Sequence, residues 1–315
     1  VALGDAMGMP TQTLSREAIR AAYGEITDFT APYADHPVSH GLAAGMVTDD
    51  TEQTLLLAEV LLASPARFDD RAWAEALMRW EEGIRARGLR DLLGPSSKRA
   101  LEALMAGVPA EETGRGGTTN GAAMRIAPVG IATPAGDVAA LVARVAETCR
   151  VTHNTAEAIA AAAAVAAVVS CGVDGAGFAA AVPVALQAAR LGASQGAPVG
   201  EADIAGRIAA ALRVRDVAAL AAMGTSVASH HAIPAAFGVV ALAKGDPWEA
   251  ALIAANIGDD TDTIGAIACG MAGACAGTAG FPPAKLAQVL AVNGLEFGPL
   301  AARLLALRAG QEAAA

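Results

Sequence analysis

Two short acidic clusters hold most of the chemistry open to this sequence. One reads Thr48-Asp49-Asp50-Thr51-Glu52 and the other Gly258-Asp259-Asp260-Thr261-Asp262-Thr263. They lie about 210 residues apart, and each runs into a long, alanine-rich apolar stretch. Carboxylates and threonine hydroxyls are hard oxygen donors. They suit Mg2+ or Mn2+ rather than softer ions that favour sulfur or imidazole. A fold that brought both clusters together would make a binuclear site. Taken singly, acids in a first helical turn also serve the free N–H groups and the helix dipole, so neither cluster identifies a site alone. The second is not an EF-hand loop, because Met271 stands where the terminal glutamate belongs.

Other candidate groups are weaker. The segment Gly114-Arg-Gly-Gly-Thr-Thr-Asn-Gly121 is a glycine-rich loop running into a helix, able to cradle an anion or a ribose with its N–H groups. It lacks the G-K-S/T of a phosphate-binding loop and the spacing of a dinucleotide fingerprint. His36 and His40 are spaced i, i+4 but straddle Pro37, which spoils a helical metal pair. His153 falls where a helix is expected to start, and His230 and His231 precede Pro234 in a similar junction, with no third ligand for zinc in view. No G-x-S-x-G occurs, so a serine triad is not supported. Cys149, Cys171, Cys269 and Cys275 form no C-x-x-C pair and read as reduced core residues of a cytoplasmic protein.

The elements that must position these groups are helices. Hydrophobic residues make up 54% of the 315 and aromatics only 3%, so alanine and glycine dominate a core that lets helices approach closely. Strand formers are not gathered into alternating runs. A helix is expected to end at Pro10, a long loop to fill 24–47, and helices to cover 49–63, 69–87 and 95–106. Asp49 as N-cap with Glu52 three residues on predicts a capping box. Trp73, Leu77, Trp80 and Ile84 give the second of these helices its apolar face. Further helices are expected over 122–132, 136–151, 154–170, 174–191, 201–213 and onward to 309, including a buried one at 262–278. The expected fold is all-α, a single many-helix domain over 1–315. The chain opens on Val1, so a few leading residues are expected to be missing. The net charge of -10 argues against a nucleic-acid surface. The long uncharged run 264–280 has no basic flanks and reads as core, so no membrane partner is expected.

Four blocks together resemble the ADP-ribosylglycohydrolase family, in the family's order. They are Leu3-Gly-Asp-Ala-Met-Gly8, Thr48-Asp-Asp-Thr51, Thr119-Asn-Gly-Ala-Ala-Met-Arg125 and Gly258-Asp-Asp-Thr-Asp-Thr-Ile-Gly265, with His153 matching a fifth. The resemblance spans nearly the whole chain. It implies an all-α fold around a cleft with two Mg2+ or Mn2+ ions, and hydrolysis of a glycosidic bond at the ribose C1 of an ADP-ribosyl compound. By this likeness Thr48, Asp49, Asp50, Asp260, Asp262 and Thr263 are the expected metal ligands, with Asp262 bridging and Asp5 supporting from behind. Gly117, Thr118, Asn120, Gly121, Met124, His153 and His231 are the expected substrate contacts.

Two departures stand out. Where the family often has a glutamate acting at the scissile bond, this chain has Gln12, and Asp259 replaces a frequent glycine. An amide cannot exchange a proton as a carboxylate does. The expected general base is therefore sought among Asp49, Asp50 and Asp259, with Asp35 and Glu52 behind them, and Gln12 is kept as a catalytic position. The expected substrate is an ADP-ribosylated protein or a small ribosyl compound. The alternatives are a nucleoside-type riboside hydrolase and a non-catalytic protein like the J1 crystallins. The second would be expected to have lost its ligands, whereas all six positions here keep oxygen donors.

Overall fold

Glycine and alanine set how closely the helices of this protein pack. The computed structural model describes residues 1–88, 94–201 and 203–312. Its helices in chain order are α1 (Ala2–Gly8), α2 (Arg16–Tyr23), α3 (Asp49–Ala63), α4 (Asp70–Ala86), α5 (Pro95–Met105), α6 (Ala110–Thr113), α7 (Gly121–Met124), α8 (Ala127–Ala132) and α9 (Val138–His153). They continue as α10 (Ala156–Val173), α11 (Phe178–Gly192), α12 (Ile204–Ala211), α13 (Val217–Ala221), α14 (Ser229–Leu242), α15 (Pro247–Ala255), α16 (Thr261–Ala276), α17 (Pro283–Asn293) and α18 (Gly298–Glu312). Among the described residues, two short 3-10 helices (Met9–Thr11 and Thr278–Gly280) and isolated β-bridges accompany them, with no strand. The all-α expectation is met.

The centre of the molecule is α10, capped by Thr155, whose hydroxyl accepts from the Ala158 N–H at 3.2 Å. Its run Ala160 to Ala164 has no exposed surface. It packs on α9, α11, α14 and α16, and 83% of it is buried, so its membrane-like length and hydropathy are those of a core helix. The other tight contact is α1 on α16. A Cβ on Gly4 would sit 2.0 Å from the Gly265 carbonyl oxygen, and one on Gly8 2.3 Å from that of Thr261. Gly4 and Gly8, one turn apart, therefore bring two backbones together and place Asp5 beneath the start of α16. The N-terminus of α3 meets the same point.

Several boundaries differ from expectation. The helix expected over 122–132 is two, because Pro128 occupies the first turn of a new helix. His153 ends α9 instead of starting the next helix. The α2 helix was not expected, although Ser15 caps it by accepting from Ala18 N–H. The expected 201–213 helix begins at Ile204, and position 202 lies outside the described residues. The capping box does not form. Thr48 is the N-cap of α3, and Glu52 turns away to Trp80 Nε1 at 2.6 Å and to Arg87 at 2.8 Å.

Candidate metal centre and cleft

Asp5 organises the first cluster from below. It is fully buried, and its carboxylate accepts from the Thr48 and Thr51 N–H groups at 3.0 and 3.1 Å and from both hydroxyls at 2.7 and 2.5 Å. One side chain on α1 thus satisfies the first turn of α3. Because the Thr48 hydroxyl hydrogen goes to Asp5, its lone pairs stay free for a cation. Asp50 lies buried beside it, with Oδ2 3.2 Å from the Thr48 hydroxyl. Asp49 is half-buried and faces the cleft.

The second cluster closes the same space. Asp260, Asp262 and Thr263 line the cleft with Asp49. Asn120 Nδ2 donates to Asp260 in a short hydrogen bond. The structure therefore brings together Thr48, Asp49, Asp50, Asp260, Asp262 and Thr263, with Asp5 behind them. Burial pushes Asp49, Asp50 and Asp262 well above the usual carboxylate range, and the neighbouring carboxylates push the same way. Asp5 and Asp260 rise to about 6, again chiefly by burial, held back by hydrogen bonds from Thr51 and Thr48 and from Asn120. Five acids crowd one buried point, and like charges so placed cannot all ionise unaided.

Two observations test whether these residues fit a cation. The Oδ1 atoms of Asp50 and Asp262 are buried with no hydrogen-bond partner, and an unpartnered buried carboxylate oxygen is costly. The donors are carboxylate and hydroxyl oxygens, the set that hard divalent ions prefer. Among the described residues no three His, Cys, Asp or Glu side chains are already drawn into one ion's shell. Asp260 is held by Asn120 instead. The residue set fits Mg2+ or Mn2+ by donor chemistry and by its two orphaned oxygens.

The cleft encloses about 170 Å3, below the roughly 300–1,000 Å3 of drug-sized ligand pockets. It admits a sugar-sized group. Gln12 lines it, with Nε2 donating to Ser39 Oγ at 2.8 Å and that hydroxyl passing to the Met9 carbonyl. The carbonyl end of Gln12 is left for the cleft. Asn120, Gly121 and Met124 form the opposite wall. A wider groove of about 820 Å3, lined by Phe178, Leu212 and Val240, is largely apolar and holds no carboxylate, so it does not compete as the acid-rich site.

Other expected positions lie elsewhere. Asp259 is exposed, at φ 65°, and lines a neighbouring groove with Ser15 and Arg16. Its backbone is bound to Thr13 and Leu14. Asp35 is exposed in the 24–47 loop, and Glu52 is tied to Arg87. Gly117 is packed against α9, where a Cβ would lie 2.1 Å from the Thr152 carbonyl oxygen. Thr118 offers its carbonyl to Ser229 N–H. His153 stands behind the wall, fully buried, with Nε2 3.0 Å from Thr119 Oγ1. Burial, with Arg125 nearby, holds its pKa well below the usual value. His231 sits outside the cleft, with Nδ1 2.8 Å from Ser226 Oγ. None of these residues lines the cleft. His36 is likewise structural, with Nδ1 accepting from the Val38 and Ser39 N–H groups.

Sequence reasoning missed several lining residues. Ser97 and Pro95 come from the start of α5, and Val227 from the turn before α14, which pairs with the glycine-rich loop through Asn120 N–H to Val227 O at 2.8 Å. Nothing in their residue types signals a site.

Comparison with known proteins agrees with this architecture. The profile of ADP-ribosylglycohydrolases matches residues 1–314. The uncharacterised protein YegU of Escherichia coli K12 is 34% identical over 99% of this chain and 96% of its own length. The ADP-ribosylarginine hydrolase Tri1 of Pseudomonas putida GB-1 is 28% identical over 92% of this chain and 72% of its own. A solved ADP-ribosylglycohydrolase-related protein complex superposes with a TM-score of 0.71 at 25% identity, covering 98% of this chain and 94% of that one. The chain therefore belongs to the ADP-ribosylglycohydrolase family.

Proposed function

We propose that this glycohydrolase is divalent-metal dependent and cleaves an N-glycosidic bond at the ribose C1 of an ADP-ribosyl or related ribosyl compound. The observation that carries the reading is the pair of orphaned oxygens on Asp50 and Asp262, inside a five-carboxylate cluster at the floor of a sugar-sized cleft. Thr48, Asp49, Asp50, Asp260, Asp262 and Thr263 would hold two ions, Mg2+ or Mn2+. When bound, such ions supply Lewis-acid polarisation of the ribose hydroxyls and of a water near C1.

The remaining steps belong to the chain. The transition state resembles an oxocarbenium ion, and the cleft carboxylates offset its positive charge. Asp49 is the general base in this reading, since it faces the cleft while Asp50 is sealed beneath it. Gln12, anchored by Ser39, accepts a hydrogen bond from the attacking water and orients it without taking its proton. No proton donor then assists a poor leaving group. A serine hydroxyl is handled badly, whereas a guanidinium or a nucleobase leaves more readily.

One observation favours a small riboside beside an ADP-ribosylated protein as substrate. Among the described residues that line the cleft, none is Lys or Arg to neutralise a diphosphate. The Pseudomonas relative, named as an ADP-ribosylarginine hydrolase, favours the guanidinium aglycone. The test is turnover of ADP-ribosyl-arginine, ADP-ribosyl-serine, O-acetyl-ADP-ribose and plain nucleosides, with chelator and with added Mg2+ or Mn2+. Hydrolysis of an N-riboside that stops on chelation and returns with metal is expected. Turnover indifferent to chelator contradicts the metal reading, and faster turnover of ADP-ribosyl-serine than of any N-riboside contradicts the bond preference.

A further inference from the structure

Arg125 is a buried guanidinium that no carboxylate among the described residues contacts. It is 1% exposed, stacks 5.0 Å from the Trp73 ring centroid, and directs its two terminal nitrogens to opposite sides. One donates to Gln53 Oε1 at 2.6 Å. The other donates to Thr152 Oγ1 at 2.7 Å and lies 3.5 Å from His153 Nδ1. Gln53, Thr152 and His153 have no exposed surface, so this network cannot exchange partners with bulk water.

A guanidinium only donates, and that fixes the direction of every bond leading away from it. On one side, Gln53 must present its carbonyl to Arg125. Its amide nitrogen therefore faces Asp49 Oδ2, at 3.3 Å, and donates to it. On the other side, the Nη2 that donates to Thr152 also faces His153 Nδ1, which makes Nδ1 an acceptor, so the Thr152 hydroxyl hydrogen goes to it, at 2.8 Å. With donors at Nδ1, the imidazole is neutral and carries its hydrogen on Nε2. That hydrogen goes to Thr119 Oγ1. Thr119 lines the cleft, and because it accepts from His153 its own hydroxyl hydrogen is available to the ligand.

We propose that Arg125 is a positioning residue that sets the hydrogen-bond polarity of both cleft walls, keeping Asp49 an acceptor on one side and making Thr119 a donor on the other. The arrangement gives a cation-facing wall and an anion- or ribose-facing wall from a single buried charge. Only the Asp49 half rests on the metal reading; the Thr119 half stands on geometry alone.

The test uses the full-length protein and two readouts besides turnover. Long-range 1H–15N NMR reports the His153 tautomer, assigned by loss of its signals in His153→Asn. Calorimetric titration with Mn2+ reports the acid cluster, with thermal melting to show that each variant is folded. The wild type is expected to carry the His153 proton on Nε2. Gln53→Met is expected to weaken Mn2+ binding about tenfold, the lower end for loss of a ligand's supporting bond, and to leave the tautomer unchanged. Thr152→Val is expected to do the reverse, shifting the tautomer at unchanged Mn2+ affinity. Should Gln53→Met fail to fold, Arg125→Lys serves instead, because one ammonium cannot reach both Gln53 and Thr152, and both readouts should move. A wild-type His153 protonated on Nδ1, or folded variants matching the wild type in both readouts, overturns the proposal. If the wild type binds no Mn2+, it is the metal reading that fails, and the tautomer still decides the role of Arg125.

Discussion

Removing one carboxylate from the cleft should stabilise the protein when no divalent ion is present. Asp260 is 8% exposed, and burial raises its pKa from 3.8 to about 6. A shift of roughly two units corresponds to about 3 kcal/mol. The sign follows from linkage. A folded-state pKa above the unfolded value means that the native protein binds the extra proton, so stability falls as pH rises from about 4 to 6. The penalty is fully present above about 6 and absent below about 4. Asp260→Asn keeps an oxygen for Asn120 and removes the charge. In chelator at pH 8 it is expected to raise Tm by roughly 5 °C, taking about 3 kcal/mol as an upper bound and a few degrees per kcal/mol. At pH 4 the two proteins should melt together. With Mn2+ at about 100 times its Kd the wild type gains about 2.7 kcal/mol, and the advantage of the variant should shrink or reverse. Differential scanning calorimetry at both pH values, with and without metal, reads all of this. An Asp260→Asn protein no more stable than the wild type in chelator at pH 8 would refute the claim that the carboxylates are crowded and unneutralised.

The other predictions concern single positions around the cleft. Gln12→Glu supplies an ionisable group where Ser39 now holds an amide, so hydrolysis of an O-linked ADP-ribosyl compound should rise relative to an N-linked one; an unchanged ratio of the two kcat/KM values would count against any role for Gln12 at the bond. Gly117→Ala should destabilise the protein by about 1–3 kcal/mol or more, because its methyl would meet the rigid Thr152 carbonyl at 2.1 Å; a variant that melts like the wild type but binds substrate worse would restore Gly117 as a direct contact.

Much of the site was legible because acids, threonines and glycines carry their chemistry in their type. The clusters at 48–52 and 258–263 each open a helix, and the motif order told which would meet. Tertiary direction was not legible. Asp259 and Asp260 are adjacent, yet a φ of 65° at Asp259 sends one carboxylate outward while its neighbour enters the cleft. The capping box failed because Thr48 is bound by Asp5 on a distant helix, and Glu52 finds Arg87 and Trp80. His153 looked like a ligand contact, but Gly121 lets its ring approach from behind the wall. Ser97 and Val227 carry no chemical signal and reach the cleft only through folding. The all-α class followed from composition, since an alanine- and glycine-rich core packs helices too closely for large side chains.

The most direct test of the account is crystallographic. A crystal of this protein grown with Mn2+ should show anomalous density between the two acidic clusters. Two peaks are expected, roughly 3.5–4 Å apart, with oxygens of Asp49, Asp50, Asp260 and Asp262 at about 2.1 Å, close to the distance hard divalent cations demand. The orphaned Oδ1 atoms of Asp50 and Asp262 should be among the ligands. Millimolar Mn2+ with no anomalous peak in the cleft, or a peak that leaves both of those oxygens unbound, would contradict it.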